Sequence, residues 1–323
     1  MADGDQRPKW VRFAALIAAA LVAAGIAVAV WWEQVPTEDE LKEQAGLKGK
    51  SELVIGVKTD MPGIGFLDPD TGVLSGFDID IAYLIAADLG FEPSKVRLVE
   101  IENEDRSKMR GADGRRVDLV VATYSDTPER AAVGGVSFSF PYLETEQSVL
   151  TRKDHRPVLA LTELAGESVC TLTTSTSVRA AETAGAKIVY DLTIAGCVDL
   201  LRAGKVGSVT TDAAILAGFA QRYPDELRHH DIALEAKELW AVNTGGNEPL
   251  RTLVNLALYR SQNDPADKRW EDAYNRHLRP MARHSPEQLI PLDQQRGAVE
   301  VEVRQWPWER LAGLMRFAVS SGP

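Results

Sequence analysis

Residues 117–130 constrain the fold most. Val117-Asp-Leu-Val-Val-Ala122 is a short, nearly continuous apolar run rich in β-branched side chains, which predicts a strand buried in a parallel sheet. Thr123-Tyr-Ser-Asp-Thr-Pro-Glu-Arg130 follows at once, with Thr127 placed to cap a helix, Pro128 at its first position and Glu129 in its first turn. Arg130 then lies at the positive end of a helix, where a cation is disfavoured unless an anion joins it. The Ser125 hydroxyl, the first-turn amides and the Arg130 fork together suit a carboxylate, at the strand end where open α/β sheets take their ligands. A capped surface helix whose arginine pairs with Glu129 satisfies the same spacing, so the two readings stand side by side here.

The flanking patterns repeat the theme. Leu53–Val57 reads as a strand, 76–90 as a helix stopped by Gly90, Val96–Glu100 as a strand and 104–113 as a helix, giving β-α-β-α-β up to Tyr142. The pattern then begins afresh, with strands at 148–151, 168–172, 187–190, 207–211 and 239–242. Helices are expected at 161–164, 178–184, 194–203, 212–220, 250–261 and 269–278. A length of 323 residues suits about two such domains. The second unit offers another hydroxyl-rich loop, Thr173-Thr-Ser-Thr-Ser177, leading into a helix. It also offers Asp212 at a strand end, placed either to cap a helix or to meet an ammonium group.

Residues 13–32 carry no charge over about 20 positions, enough at 1.5 Å per residue to cross a hydrocarbon core of about 30 Å. Arg7, Lys9 and Arg12 precede the run, acidic residues follow it, and Trp10, Trp31 and Trp32 flank it. The expectation is a single transmembrane anchor at 13–32 with residues 1–12 cytoplasmic, a polar spacer at 33–51 and the remainder outside the cell. The alternative is a cleaved signal peptide, for which Ala27-Val-Ala29 would be the cleavage site. No cysteine lies in or just after the run, which excludes a lipid-anchored form. In an exported chain Cys170 and Cys197 are expected to be bridged.

A net charge of -11 and a pI near 5.1 argue against a nucleic-acid partner. The five histidines, at 155, 229, 230, 277 and 284, fall at no metal-ligand spacing, and no nucleophile elbow, phosphate loop or dinucleotide fingerprint appears. No metal, cofactor or catalytic residue is therefore expected. Trp306, Trp308, Leu311, Leu314, Met315 and Phe317 outline a short amphipathic helix in the tail, expected to pack on the domain; contact with a membrane surface or a partner is the alternative.

Gly76-Phe-Asp-Ile-Asp-Ile-Ala82, Thr127-Pro-Glu-Arg130, Phe138-Ser-Phe-Pro-Tyr142 and Val209-Thr-Thr-Asp212, in this order, resemble the amino-acid-binding subgroup of the extracellular solute-binding proteins of ABC importers, family 3. The Asp60-x-Pro-Gly-x-Gly65 loop and the cysteine pair resemble its glutamate/glutamine-binding members. The resemblance spans about residues 52–280. It implies a two-lobed α/β periplasmic-binding-protein-like fold (type II), with lobe 1 at 52–145 and 241–290, lobe 2 at 146–240, hinges near 144–150 and 236–242, and a tail at 291–323. It implies that Arg130 clamps the α-carboxylate of a free amino acid with Ser125 and the amides near Ser175 and Thr176, and that Asp212 meets the α-ammonium. Lys58 and Arg106 are candidates for a side-chain carboxylate. Two positions depart from the family pattern: Asp126 replaces an apolar residue and Thr174 a glycine. The implied partner is an ABC permease; a membrane sensor reading amino-acid levels is the alternative. Dehydratases and cell-wall lytic enzymes share the fold, and Glu104 is the acid that such chemistry would use, but no paired acid and base supports an enzyme.

Overall fold

The computed structural model describes residues 9–230, 232, 237–285, 291–295 and 297–304. These form two units, one of residues 42–301 and one of residues up to 41 together with 302–304. The tail helix expected at 306–317 lies outside the described residues.

In the smaller unit, helix α1 (Lys9–Gln34) covers the uncharged run. The expected transmembrane anchor is nevertheless overturned: among the described residues no helix is long and apolar enough to cross a membrane. The single-pass placement at the cell membrane and the membrane contact through this helix fall with it. Within the expected spacer, α2 (Glu38–Gln44) starts from a capping box, Thr37 N donating to Glu40 Oε2 at 2.7 Å and Glu40 N to Thr37 Oγ1 at 3.2 Å. Arg304 ties back to this turn, its amide to the Pro36 carbonyl at 3.0 Å and its Nη2 to Glu40 Oε1 at 3.0 Å.

The larger unit is built on one continuous sheet. β1 (Leu53–Val57) leads into a small antiparallel sheet of β2 (Asp60–Met61), β3 (Gly65–Leu67) and β4 (Leu74–Ser75), then into α3 (Phe77–Leu89). Gly76 precedes α3 at φ 138°, and a Cβ there would lie 2.2 Å from the Ile64 carbonyl oxygen, so only glycine fits the junction. Ile81, Leu84, Ile85 and Leu89 are buried as their helical spacing requires, and Gly90 ends the helix in the left-handed region. β5 (Val96–Glu100) and β6 (Leu119–Val120) flank β1, both parallel to it.

The helix expected at 104–113 does not form. Residues 103–105 make one 3₁₀ turn and the rest is turns, because Gly111-Ala-Asp-Gly114 favours turns and Asp113 Oδ1 takes the Arg115 amide.

After the single turn α4 (Pro128–Ala131), the break expected beyond Tyr142 is absent, and β7 runs unbroken from Phe138 to Arg152. Pro141 has no amide to give a ladder. It stands opposite Ala241, where the register of the pairing strand shifts, so a bulge absorbs the missing bond. Beyond β7 follow β8 (Ser168–Leu172), α5 (Ser177–Thr183), β9 (Lys187–Asp191), α6 (Ile194–Arg202), β10 (Ser208–Asp212), α7 (Ala213–Arg222), β11 (Leu227–His230), β12 (Lys237–Asn243), α8 (Glu248–Asn263) and α9 (Arg269–His277).

The sheet order is β5-β1-β6-β12-β7-β10-β8-β9, with β11 also on β7. β12 pairs with the first part of β7, and β10 and β11 with its last part. β7 therefore belongs to both halves of the sheet. Crossings between the halves rest on it and on β12, which follows β11 in the chain and returns to the first half.

Cys170 of β8 and Cys197 of α6 form the expected disulfide across a separation of 27 residues. Reduction is expected to cost the fold roughly 3–4 kcal/mol on the chain-entropy model, read as a drop in the urea midpoint with dithiothreitol.

His229 and His230 on β11 are buried and neutral in the fold. Ser148 Oγ lies 2.7 Å from His229 Nε2, Ser285 Oγ 2.7 Å from its Nδ1, and Thr151 Oγ1 2.7 Å from His230 Nε2. Burial pushes His229 down to about 3 and His230 down to about 4, the neighbouring His230 and Arg228 respectively adding to it. An unfolded histidine takes its proton near 6.5, so the unfolded chain binds protons first as pH falls and stability drops between about 6.5 and 4. Asp78, pushed up to about 7 by burial, acts in the opposite sense, losing stability as pH rises from about 4 to 7. A His229→Gln protein is expected to show a shallower acid limb in a plot of unfolding free energy against pH, whatever its stability at pH 7.

Candidate functional site

The loop after β6 is held before it is functional. Thr123 sits at φ 47°, in the left-handed region, an unfavourable place for a β-branched residue. Its amide donates to Asp78 Oδ2 at 2.9 Å and its carbonyl accepts from Arg106 Nη1 at 3.0 Å. Tyr142 Oη donates to the other Asp78 oxygen at 2.9 Å, and Arg106 Nη1 also reaches the Ala122 carbonyl at 3.1 Å. Asp78, Arg106 and Tyr142 are all buried. Burial draws Arg106 down to about 9, with Arg130 adding like-charge repulsion.

This clamp turns Tyr124 and Ser125 inward. The Arg106 and Arg130 guanidinium carbons lie 4.5 and 5.0 Å from the centroid of the Tyr124 ring, and Phe138 meets that ring edge-on at 4.9 Å. Thr127 caps α4 as expected, its Oγ1 accepting from Arg130 N at 3.3 Å. At four residues α4 has little macrodipole, so an anion here depends on the Arg130 side chain rather than on the helix end. Arg130 is half-buried; Nη1 donates to the Ser125 carbonyl at 2.9 Å and Nη2 crosses to the Thr174 carbonyl at 2.8 Å. Asp126 is exposed and does not cap the turn; its amide donates to the Leu239 carbonyl.

Thr174 belongs to the loop between β8 and α5, in the other half of the sheet, so the Arg130 bond spans the two halves. Thr173 Oγ1 to Glu104 Oε1 at 3.4 Å spans them as well. In the same loop Ser175 Oγ accepts from Ser177 N at 3.2 Å and the Ser175 amide donates to the Leu172 carbonyl, while Thr176 occupies the cap position of α5 without a side-chain bond.

Asp212 closes the set. Its carboxylate does not cap α7; Oδ2 instead accepts from the indole Nε1 of Trp240 at 2.5 Å. Burial pushes Asp212 up to about 7, Glu238 adds to the rise, and the Trp240 bond, Arg130 and Arg106 pull it back. Trp240 joins the two groups, its indole on Asp212 and its backbone bridging Ser125, next to the Tyr124 ring on which both guanidinium groups rest.

Lys58 stands apart from this group. It is 1% exposed, and its ammonium donates to the Ile101 carbonyl at 3.3 Å and faces Asp60 at 3.5 Å and Glu102 at 3.9 Å, so its charge is already answered. Among the described residues no cluster of three histidine, cysteine or acidic side chains could hold a metal.

Residues 53–279 match the model of the bacterial extracellular solute-binding proteins, family 3. The chain belongs to this family. It is 33% identical over 230 residues to the glutamate-binding protein GluB of Corynebacterium efficiens, covering 68% of this chain and 76% of that one. It is 29% identical to the ABC transporter glutamine-binding protein GlnH of Bacillus subtilis, over 73% of this chain and 84% of that one. Among solved structures, a solute receptor for L-cysteine from Neisseria gonorrhoeae superposes with a TM-score of 0.67 at 26% identity, covering 78% of this chain and 98% of that one. The two-lobed α/β periplasmic-binding-protein fold is thereby established for this solute-binding protein.

Asp78, Tyr124 and Trp240 were not singled out as site residues from the sequence. Asp78 follows a glycine and an aromatic in a helix start, which reads as ordinary N-terminal acid placement. Trp240 reads as one apolar residue of a strand, since nothing local shows that its N–H meets Asp212. Replacing Asp78 by Ala would leave the Thr123 amide and the Tyr142 hydroxyl buried without an acceptor, an expected loss of about 2–4 kcal/mol. Asp78→Asn should cost less than half as much, because its oxygen can take the amide while Tyr142 turns to accept from its nitrogen; thermal unfolding of the two variants checks the order.

Proposed function

We propose that this solute-binding protein captures a free amino acid of the glutamate/glutamine type between its lobes and delivers it to an ABC import permease. The observation that carries the reading is a chain of contacts across the halves of the sheet: Arg130 donates to the Ser125 carbonyl and to that of Thr174, Ser125 bridges Trp240, and the Trp240 indole holds the buried Asp212. A zwitterion has the matching pair of charges: Arg130 takes the α-carboxylate, with Ser125 and the amides near Ser175 and Thr176 as further donors, and Asp212 takes the α-ammonium. Tyr124 and Trp240 supply apolar walls that raise the worth of each polar contact by excluding water. The names of the glutamate- and glutamine-binding relatives support the ligand class, and because Lys58 is engaged by Asp60 and Glu102, the side-chain end is read by neutral donors more than by a free cation.

Mechanistically, an amino acid enters when the lobes part, is held first by Arg130, and is enclosed as the loop at 173–177 and Asp212 close over it. The motion is a hinge in β7 and β12, and the ligand favours the closed form because only there do both lobes touch it. Calorimetric titration with the common amino acids is expected to show glutamate or glutamine as the tightest. Arg130→Ala should weaken that binding by at least about a hundred-fold, near 3 kcal/mol, and affinity like that of the unmodified protein would refute the assignment.

The raised Asp212 adds a pH signature. Near pH 6 its carboxyl is largely protonated and a poor partner for an ammonium; as pH rises through about 7 it ionises, so affinity should climb between pH 6 and 8. In the Asp212→Asn protein the climb should vanish.

A further inference from the structure

The first turn of α6 has four amides to satisfy. Thr193 N donates to Asp191 Oδ1 at 3.0 Å and Gly196 N to Thr193 Oγ1 at 3.0 Å. The remaining two do not find partners in their own lobe. Ile194 N and Ala195 N donate, at 3.1 and 3.5 Å, to Oδ2 of Asp60. Asp60 lies on β2, just after β1 of the first half of the sheet, whereas α6 packs on the strands of the second half. A carboxylate from one lobe thus caps a helix of the other, where the positive helix end and two charge-assisted bonds favour it.

Both partners are held in place from behind. Lys58, itself buried, lies 3.5 Å from the second Asp60 oxygen and orients the carboxylate. The Cys170–Cys197 bridge fastens α6 to β8, so the amides that Asp60 meets cannot drift from their sheet. The loop that follows Asp60 also comes hard against the second lobe: a Cβ on Gly218 of α7 would lie 2.0 Å from the Pro62 carbonyl oxygen, so this approach depends on glycine.

We propose that Asp60 is a latch between the lobes, a positioning residue that never touches the ligand yet sets how long the cleft stays shut around it. The exchange it makes is reversible by design of its chemistry. On opening, the two amides return to water and the carboxylate keeps Lys58, so neither side is left stranded in an apolar place. A latch formed only in the closed state acts on dissociation rather than on encounter.

The proposal rests on the amino-acid-binding reading for its kinetic test but not for its conformational one. In the full chain, Asp60→Ala is expected to raise the dissociation rate of glutamate or glutamine roughly ten- to hundred-fold in stopped-flow measurements, with the association rate unchanged. Asp60→Asn, which keeps the shape and an acceptor beside Lys58, should fall between Asp60→Ala and the unmodified protein and guards against a folding defect in the alanine variant. Without any ligand, small-angle X-ray scattering should show a larger radius of gyration for Asp60→Ala than for the unmodified protein, and circular dichroism the same helix content. An unchanged radius and an unchanged dissociation rate would overturn the latch, as would a loss confined to the association rate. If neither amino acid binds any of the proteins, the ligand reading fails and the scattering comparison alone decides the latch.

Discussion

A residue in the left-handed region needs its neighbours to hold it there, and at Thr123 two buried charges do so from opposite sides. The Asp78 carboxylate takes the amide and the Arg106 guanidinium takes the carbonyl. Such strain costs of order 1–3 kcal/mol and persists only where the surroundings insist on it. What it secures is the reversal of the chain directly after β6, which aims Tyr124 and Ser125 inward and starts the short turn that presents Arg130. Arg106 and Asp78 are therefore structural charges. Arg130 and Asp212, the charges to which ligand binding is proposed to fall, rely on the geometry that they impose.

Contacts across the cleft differ in kind from those within each lobe. Inside, Ile55, Leu119, Val169, Leu201 and Val209 are fully buried, and separating them would expose apolar surface. Between the lobes, Arg130 meets the Thr174 carbonyl, Asp60 meets α6 and Thr173 meets Glu104, all groups that water serves nearly as well. Hydrogen bonds of this kind suit the proposed parting of the lobes, for which β7, paired on both sides of the seam, is the connection.

The seam also holds charges that are costly to keep. Asp212 is costly to ionise because it is buried and has Glu238 nearby, and two guanidinium groups only partly offset this. Arg106 is costly to keep charged for the same reason. On the proposed reading a zwitterion would bring its ammonium to Asp212 and its carboxylate to Arg130, which a simple anion or cation could not do at once.

Most elements were legible locally. β1, α3, β5, β8, α6, β10 and α9 follow from apolar period, caps and glycine stops, because those signals act within a turn or two of the chain. The motif set from Gly76 to Asp212 identified the family, and the two cysteines their bridge. What failed or was missed depends on distant partners. The helix expected at 104–113 gave way to turns once Arg106 turned into the core toward Ala122 and Thr123; β7 ran through Pro141 because β12 could bulge opposite it; and the expected membrane span was overturned because among the described residues no helix is long and apolar enough to cross a membrane. Among the candidate site residues, Arg130, Asp212 and Lys58 could be nominated from strand ends. Only the tertiary structure decided that Lys58 spends its charge on Asp60, that Asp212 meets Trp240 rather than capping α7, and that Asp60 reaches a helix more than a hundred residues away. The reason is that hydrogen-bond periodicity is written along the chain, while the partner of a buried charge is chosen by whatever the fold brings within about 3 Å of it.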